Sequence, residues 1–257
     1  MSHIYKYLTV CVDGLSGAGK SYIADRIAAR LSEYFPCVHA DTGAMFRAVG
    51  YELIKLGADL GDEAAVDAAV SNLALDVVYA PDGTQTVTVG GKAIADGELR
   101  GGDVSAAASK SAVYPSVRAL ITRLERAIPE RIAVVMDGRD IGTVVLPDAD
   151  VKIYVTADAG QRAARRYNQL REAAEASGEE YTGDDIAEIR RQIEERDYRD
   201  THRAISPCVM AEDGVELDNT GITREQAVER AMSIVCSRAG KRLSGYAVKF
   251  TSDADMT

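Results

Sequence analysis

The sequence predicts an α/β fold with a mostly parallel central sheet. The first observation is a strand, a glycine-rich loop and a helix in that order: the apolar run YLTVCVD (residues 7–13) leads directly into GLSGAGKS (residues 14–21). The second is a pair of later apolar runs, IAVVMD (residues 132–137) and VKIYVTA (residues 151–157), which are typical of buried parallel strands. Ligands of such folds bind beyond the carboxyl ends of the strands.

The other elements of the first half follow the same alternation. Ile23, Ile27 and Leu31 recur at helical spacing after the glycine-rich loop and predict a helix. CVHA (residues 37–40) predicts a second short strand, and residues 44–56 a second helix. The chain therefore begins as two consecutive strand–helix units.

Residues 62–100 differ from this pattern. An alanine-rich helical piece is followed by LALDVVYA, the turn PDGT and the alternating segment QTVTVGG. Two alternating segments joined by a Pro-Asp-Gly turn predict an antiparallel hairpin. We interpret this region as a small β subdomain inserted into the parallel fold.

The second half returns to helices and strands. Helices are expected up to about residue 127 and, with mixed charge, over residues 159–203; VELDN predicts a fifth core strand and residues 223–238 a last helix. We thus expect a three-layer domain over residues 1–238, with a five-stranded sheet and a helical lid at about 160–185. Residues 239–257 lack sustained periodicity and are expected to form a flexible tail.

Composition excludes several classes of protein. Hydrophobic residues make up 46% and charged residues 27% of the chain, as in ordinary globular proteins. The net charge of −10 weighs against nucleic-acid binding, and no apolar run is long enough to cross a membrane. The four cysteines form no CxxC pair, which argues against a cysteine-based metal or redox site and favours a reducing cytoplasm.

The glycine-rich loop fits the pattern G-x-x-x-x-G-K-[ST] of P-loop NTPases, in the strand–loop–helix context that this pattern requires. Its backbone N–H groups can surround phosphates, Lys20 can neutralise the β- and γ-phosphates, and the Ser21 hydroxyl can bind Mg²⁺, partly through water. The alternative is an accidental glycine-rich turn, which the flanking strand and helix disfavour. The residues expected to hold ATP in this loop are Gly14, Ser16, Gly17, Ala18, Gly19, Lys20, Ser21 and Tyr22.

Arginines follow two of the predicted strands. In DTGAMFR, Thr42 and Arg47 can face the same end of the sheet and bind a second anion, although a helix-capping threonine and a surface arginine would explain them equally well. In VVMDGRDIGT, a buried strand delivers Arg139 and Asp140 to the carboxyl edge of the sheet. An arginine between two aspartates at that edge favours a functional interpretation.

Two further arginine groups lie on predicted helices. RAARR places Arg162, Arg165 and Arg166 on one face, which is compatible with either a lid that closes over phosphates or a solvated surface. In EERDYRDTHR, Arg196, Asp200 and Arg203 are spaced i, i+4, i+7 and are expected to share a face. This stretch is either a charged exposed surface or one wall of an anion site.

In combination, these motifs resemble those of bacterial cytidylate kinases, which are nucleoside monophosphate kinases. DGLSGAGKS, DTGAMFR, DGRDIGTVVLPDADVKIYVTA, RAARR and ERDYRDTHRA occur in the family's order, and the resemblance extends from about residue 10 to about residue 235. It includes the β insert. One departure is Ser21-Tyr22, where many relatives have Gly-Thr. This departure supplies the metal-binding hydroxyl that other P-loop proteins have.

The resemblance implies roles for individual residues. The phosphate of CMP is expected to contact Arg47, Arg139 and Arg203, with Thr42 beside it. The cytosine is expected to contact Ser109, Arg118 and Asp140. The sugar is expected to contact Arg196 and Asp200. Arg162, Arg165 and Arg166 correspond to the lid, with Arg165 against adenine. The expected catalytic residues are Lys20, Arg139, Asp140, Arg166 and Arg203.

The expected reaction transfers the γ-phosphoryl group of ATP, bound with Mg²⁺, to CMP or dCMP. The acceptor oxygen is already nucleophilic at neutral pH, so catalysis needs positioning and charge neutralisation rather than a strong base. The resemblance does not require assembly, and we expect a monomer. The alternative is a non-catalytic module that senses ATP and a monophosphate. Neither the phosphate loop nor the lid has lost a residue whose absence would favour this alternative.

Overall fold

The computed structural model describes residues 4–246 of the chain. In this part the strands form a parallel central sheet and a separate antiparallel sheet. In chain order the strands are β1 (Thr9–Gly14), β2 (Cys37–Asp41), β3 (Leu75–Tyr79), β4 (Gln85–Val89), β5 (Lys92–Ala93), β6 (Ala133–Asp137), β7 (Val151–Thr156) and β8 (Val215–Asp218).

The central sheet has the strand order β2-β6-β1-β7-β8, with every pairing parallel. All residues of β1 and β6 are buried, as expected for apolar strands covered on both faces. The register sets Asp41 of β2 opposite Asp137 of β6, and Val12 of β1 opposite the same Asp137. Three strands therefore end side by side, at the edge where the motifs of the sequence lie.

Three of the longer helices begin at an aspartate cap. The side chains of Asp41, Asp158 and Asp185 each accept the backbone N–H three residues further on, at 2.8–3.0 Å. A π-helical turn follows β6 at Ile141–Val145. The helices are α1 (Lys20–Ser32), α2 (Thr42–Lys55), α3 (Glu63–Ser71), α4 (Asp96–Leu99), α5 (Gly102–Ser111), α6 (Pro115–Ala127), α7 (Ala159–Ala176), α8 (Ile186–His202) and α9 (Arg224–Tyr246).

Helices cover both faces of the central sheet. On one face Ile27 of α1 and Val235 of α9 pack against β1 and β7 in one apolar core. On the other face Met45 of α2 and Ile121 of α6 pack against β6 in a second core. The predicted three-layer α/β fold, with five core strands and a small antiparallel sheet, is confirmed.

The antiparallel sheet lies within the predicted insert. Strands β3, β4 and β5 form it, and the turn between β3 and β4 has Gly83 at φ +85°. The side chain of Gln85 accepts the backbone N–H of Asp41 at 2.9 Å and donates to its carbonyl at 3.0 Å. These two bonds join the insert to the carboxyl end of β2.

The last helix extends beyond its predicted end at residue 238. It runs to Tyr246, so the expected flexible tail is wrong for residues 239–246. Ala239 and Leu243 are buried four and eight residues after Val235, and they continue the same face of α9. The Tyr246 ring stacks on Phe35 at 4.1 Å. The rest of the expected tail, residues 247–257, lies outside the described residues.

Among the residues from 4 to 246, no helix is both long and apolar enough to cross a membrane.

Candidate active site

A cavity of about 520 Å³ opens at the carboxyl ends of β1, β2 and β6. Of the residues expected at the site, all line this cavity except Gly14, Ser16 and Ala18. Gly14 instead lets β1 and β7 approach closely, since a Cβ there would lie 2.0 Å from the carbonyl oxygen of Val155. The lining residues that the sequence indicated are Gly17, Gly19, Lys20, Ser21, Tyr22, Thr42, Arg47, Ser109, Arg118, Arg139, Asp140, Arg162, Arg165, Arg166, Arg196, Asp200 and Arg203.

The glycine-rich phosphate loop, GLSGAGKS at residues 14–21, connects β1 to α1. Gly17 and Gly19 adopt positive φ angles of +72° and +90°, which glycine tolerates without strain. The ammonium group of Lys20 is buried and donates to the carbonyl of Leu15 at 2.7 Å. Burial, followed by the charge of Arg139, lowers the pKa of Lys20 to about 7. The loop thus holds a lysine that a phosphate group would return to its charged form.

Beside the loop, the Ser21 hydroxyl donates to Oδ2 of Asp137 at 2.8 Å. The other carboxylate oxygen of Asp137 lies 2.7 Å from Nε2 of His39. Burial opposes ionisation of Asp137, but the hydrogen bond and charge of His39, together with Lys20 and Ser21, outweigh it, so the pKa of Asp137 falls below its ordinary value. Burial likewise opposes protonation of His39, but Asp137 and further aspartates outweigh it, so the pKa of His39 rises. An ionised carboxylate and a hydroxyl therefore face the cavity together.

Deeper in the cavity, Arg47, Arg139 and Arg196 form a cluster of positive charge. Two of these guanidinium groups contact Asp200: Nε of Arg139 at 2.9 Å and Nε of Arg196 at 3.9 Å. Burial, followed by Arg139 and then by other charges that include Arg47, lowers the pKa of Arg196 to about 10. Within residues 4–246, Nε of Arg47 and Nε of Arg196 are buried without a hydrogen-bond acceptor. Such a cluster suits an anion that accepts several hydrogen bonds.

At the far end, Asp140 is buried between two arginines. Nη2 of Arg118 pairs with one of its oxygens, and Nη2 of Arg203 lies 3.2 Å from the other. The guanidinium of Arg118 also lies 5.6 Å from the centre of the Phe46 ring, which lines the cavity. Ser109 of α5 completes this end. The arrangement offers hydrogen-bond donors, acceptors and an aromatic face, which together suit a planar base.

Helix α7 is connected to the phosphate loop. Arg162 is buried, which excludes a purely solvated role; it donates to the carbonyl of Ser16 at 2.9 Å and pairs with Asp197 of α8. Arg165 donates to Oδ1 of Asn219 at 2.8 Å and to its carbonyl at 3.0 Å. Arg166 is exposed at the mouth of the cavity.

The sequence model of the family described as cytidylate kinase matches residues 10–237. The chain belongs to the cytidylate kinase family. It is 38% identical to the cytidylate kinase of Bacillus licheniformis over 92% of this chain and 99% of that protein. It is 39% identical to that of Geobacillus kaustophilus over 91% and 98% of the two chains. It is also 38% identical to a bifunctional pantoate ligase/cytidylate kinase of Synechococcus sp., over 91% of this chain and 46% of that protein.

Membership of the cytidylate kinase family confirms the resemblance that the motifs indicated. The structure adds residues that the sequence analysis left without a role. Asp137 and His39 lie behind Ser21, Asp197 and Asn219 hold the phosphate loop, and Phe46 contacts Arg118. Asp137 is one of the two aspartates that the sequence places around Arg139 at the carboxyl edge, without a specific role. Phe46 and Asp197 also lie in the quoted motifs. The roles of all five follow from contacts between elements that are distant in the sequence.

One expected arrangement differs in its geometry. Arg196, Asp200 and Arg203 were expected to share a helical face, but α8 ends at His202 and Arg203 has an extended backbone (φ −65°, ψ 143°). Its side chain consequently reaches Asp140, whereas Arg196 remains near Arg139. All three still line the cavity, but they contact different parts of it.

Proposed function

We propose that this chain transfers the γ-phosphoryl group of ATP to CMP or dCMP, giving ADP and CDP or dCDP. The observation that carries the proposal is the continuity of the cavity: it runs from the phosphate loop at Lys20, past the arginine cluster, to the buried pair of Arg118 and Asp140. A donor triphosphate and an acceptor monophosphate would therefore meet between these ends.

For the donor, we assign ATP to the phosphate loop and to the cavity wall formed by α7. Lys20 would neutralise the β- and γ-phosphates, while Arg165 and Arg166 lie where a nucleotide extending from the loop would pass. The hydroxyl of Ser21 and Oδ2 of Asp137 are oxygen donors of the kind that Mg²⁺ prefers, and both face the cavity. These residues would hold Mg²⁺, which when bound neutralises charge on the phosphates.

For the acceptor, we assign the phosphate of CMP to Arg47, Arg139 and Arg196. In the part of the chain that the structure describes, the buried Nε groups of Arg47 and Arg196 have no hydrogen-bond acceptor, which supports this assignment. Asp200, which accepts from Arg139, can also accept from a sugar hydroxyl. We assign Arg203 to the base end, since it contacts Asp140. This differs from the arrangement that the family resemblance implied, in which Arg203 holds the phosphate and Arg196 the sugar.

In this arrangement the chain works by positioning. The acceptor oxygen needs no general base, and the cationic groups of Lys20, Arg139 and Arg166 would stabilise charge as the phosphoryl group moves. Closing α7 over the cavity would exclude water as a competing acceptor. We also propose that the protein acts as a cytoplasmic monomer that binds neither nucleic acid nor membranes.

A coupled assay of ADP formation tests the reaction, with CMP, dCMP, UMP, AMP and GMP as acceptors. We expect turnover with CMP and dCMP, and its loss in Lys20→Ala. ATP and CMP binding without ADP formation would indicate a nucleotide-sensing module instead. Light scattering of the purified chain tests the monomer, whose mass is 27.5 kDa.

Base choice provides a second test. Cytosine has an amino donor and two acceptors, whereas uracil presents O4 and N3–H. The carboxylate of Asp140 can only accept hydrogen bonds and Arg118 can only donate them. Uracil would therefore set its acceptor O4 against the carboxylate and its donor N3–H against the guanidinium. Such mismatches of polar groups can discriminate by several powers of ten in kcat/KM. We expect kcat/KM to be much higher for CMP than for UMP, and we expect Asp140→Asn to reduce this difference. Equal kcat/KM for CMP and UMP in the wild-type protein would refute the assignment of Arg118 and Asp140 to the base.

A further inference from the structure

Three side chains from three elements form a continuous hydrogen-bonded chain at the carboxyl edge of the sheet. His39 of β2 lies 2.7 Å from Oδ1 of Asp137 in β6, and Oδ2 of Asp137 accepts the Ser21 hydroxyl of α1 at 2.8 Å. Ser21 and Asp137 line the cavity, whereas His39 is not part of its lining. His39 therefore meets the site through Asp137.

The direction of these bonds follows from the chemistry of the groups. An ionised carboxylate can only accept, so Nε2 of His39 carries the proton and donates to Oδ1 of Asp137. Oδ2 is occupied from the other side by Ser21. The side chain of Asp137 is 6% exposed and that of His39 is 18% exposed, so water competes little for either oxygen. The carboxylate is thus held at both ends.

The backbone at Asp137 is also fixed. The carbonyl of Asp137 accepts a hydrogen bond from the Thr42 hydroxyl at 2.8 Å, and Asp137 lies opposite Asp41 of β2 in the parallel register. With the backbone fixed, the orientation of the carboxylate plane depends on the hydrogen bonds to its two oxygens. The imidazole of His39 is the group that sets that plane from outside the cavity.

We propose that His39 is a positioning residue, which holds the carboxylate of Asp137 so that Oδ2 and the Ser21 hydroxyl face the divalent cation accompanying ATP. This inference rests on the proposed use of Mg²⁺. It assigns His39 no contact with substrate or metal. Groups that orient a metal-binding carboxylate typically contribute about 10- to 100-fold to metal affinity.

Metal binding can be measured without turnover. Mn²⁺ replaces Mg²⁺, and free Mn²⁺ is followed by electron paramagnetic resonance as it is titrated into protein saturated with ADP. We expect His39→Leu to weaken Mn²⁺ binding about 10- to 100-fold, while ADP affinity measured with EDTA stays within about twofold. His39→Gln keeps an N–H donor and should recover most of the affinity. His202→Leu, an exposed histidine at the end of α8, is the matched control and should leave it unchanged.

A double-mutant cycle tests whether His39 acts through Asp137. On the Asp137→Ala background, His39→Leu should weaken Mn²⁺ binding by less than about twofold. An undiminished effect there, or wild-type Mn²⁺ affinity in His39→Leu alone, would overturn the proposal. If His39→Leu does not fold, His39→Gln is compared with His39→Asn. The asparagine side chain is one methylene shorter than glutamine, so its amide cannot reach Asp137. Equal Mn²⁺ affinity of these two variants would then refute it.

The same preparations separate this inference from the proposed function. Wild-type protein that forms ADP with CMP, combined with unchanged metal affinity in His39→Leu, would refute the role of His39 alone. Wild-type protein that binds Mn²⁺ with ADP but phosphorylates no monophosphate would refute the proposed function, and the cycle between His39 and Asp137 would still be measurable.

Discussion

The carboxylate of Asp197 accepts the backbone N–H of Ser16 at 2.9 Å, which joins α8 directly to the phosphate loop. The same carboxylate pairs with Arg162 of α7, and Arg162 returns a hydrogen bond to the carbonyl of Ser16 at 2.9 Å. Both polar groups of the Ser16 backbone are thus occupied by side chains of α7 and α8. The conformation of the loop and the position of these helices are coupled.

Removing the Asp197 carboxylate should lower the stability of the fold and also weaken the use of ATP. In Asp197→Ala, the buried guanidinium of Arg162 loses its partner, and we expect the free energy of unfolding to fall by about 3 kcal/mol. The KM for ATP should rise because the loop loses an anchor, while the KM for CMP changes little. Urea denaturation and initial velocities measure the two effects.

The matched control is Glu194→Ala, in the same helix. Glu194 pairs with Arg190 at 2.8 Å, but both side chains are about half exposed. Such a pair contributes less than about 1 kcal/mol. Equal loss of stability in the two variants would contradict the importance of the buried pair.

Lys20 should couple ATP binding to proton uptake. Burial, followed by Arg139, lowers its pKa in the free protein to about 7, so at about pH 8 it is mostly neutral. Bound phosphates restore its charge and raise its pKa, so ATP affinity should fall as pH rises above about 7. The number of protons taken up on ATP binding can be measured by calorimetry in buffers of different ionisation enthalpy. We expect uptake approaching one proton at about pH 8 and less at about pH 6. In Lys20→Met this contribution should be absent.

The lysine should also lower the stability of the free protein. Because its folded pKa lies below its unfolded value, the folded state binds fewer protons between about pH 7 and pH 10.5. The cost of burying the charge is greatest below about pH 7 and declines as the pH rises. Lys20→Met should therefore raise Tm more at about pH 6 than at about pH 9, while losing turnover. A lower Tm at about pH 6 would contradict the burial of a charged lysine.

Substitutions of Arg196 and Arg203 should change the kinetics with CMP and UMP in different ways. Arg196→Ala removes a group assigned to the phosphate, so the KM values for CMP and UMP should rise by similar factors. Arg203→Ala removes a contact of Asp140, so it should lower kcat/KM for CMP more than for UMP and narrow the preference. Steady-state kinetics with both acceptors distinguish the outcomes, and the reverse pattern would restore the arrangement that the family resemblance implied.

The end of α9 should matter for stability and not for chemistry. Leu243 is buried in the core beneath the sheet, so Leu243→Ala should cost about 3 kcal/mol in unfolding free energy. Turnover at low temperature should be unchanged. Lys241→Ala, exposed on the same helix, should change stability by less than about 0.5 kcal/mol. For the same reason, deleting residues 237–257 should destabilise the fold, whereas deleting 247–257 removes none of these contacts.

The parts of the fold that could be predicted are those set by local pattern. The run into GLSGAGKS predicted β1, the phosphate loop and α1, because an apolar strand, glycines and helical spacing are adjacent in the sequence. The gathering of Arg47, Arg139 and Lys20 also followed, since parallel strands end at one edge of a sheet. The end of α9 was missed because Gly240 and Gly245 are poor helix formers and Leu243 is the only large apolar residue between Val235 and Tyr246.

Other features depend on geometry that spacing does not determine. The bond between His39 and Asp137 requires β2 to lie beside β6, and the order of strands is not encoded in periodicity. The contact of Arg203 with Asp140 depends on α8 ending at His202, which the spacing of residues does not specify. The residues that line the cavity could thus largely be named from the sequence, while the contacts between them could not.

The strand that carries the phosphate loop has both neighbours far along the chain. β1 is made first, yet its partners β6 and β7 begin only at Ala133 and Val151. At a synthesis rate of about 5–20 residues per second, the nascent β1 waits on the order of ten seconds with both edges open. An apolar strand in that state is prone to pair with other chains. Pairing of the open β1 with other nascent chains is therefore a hazard during synthesis that the finished fold does not reveal.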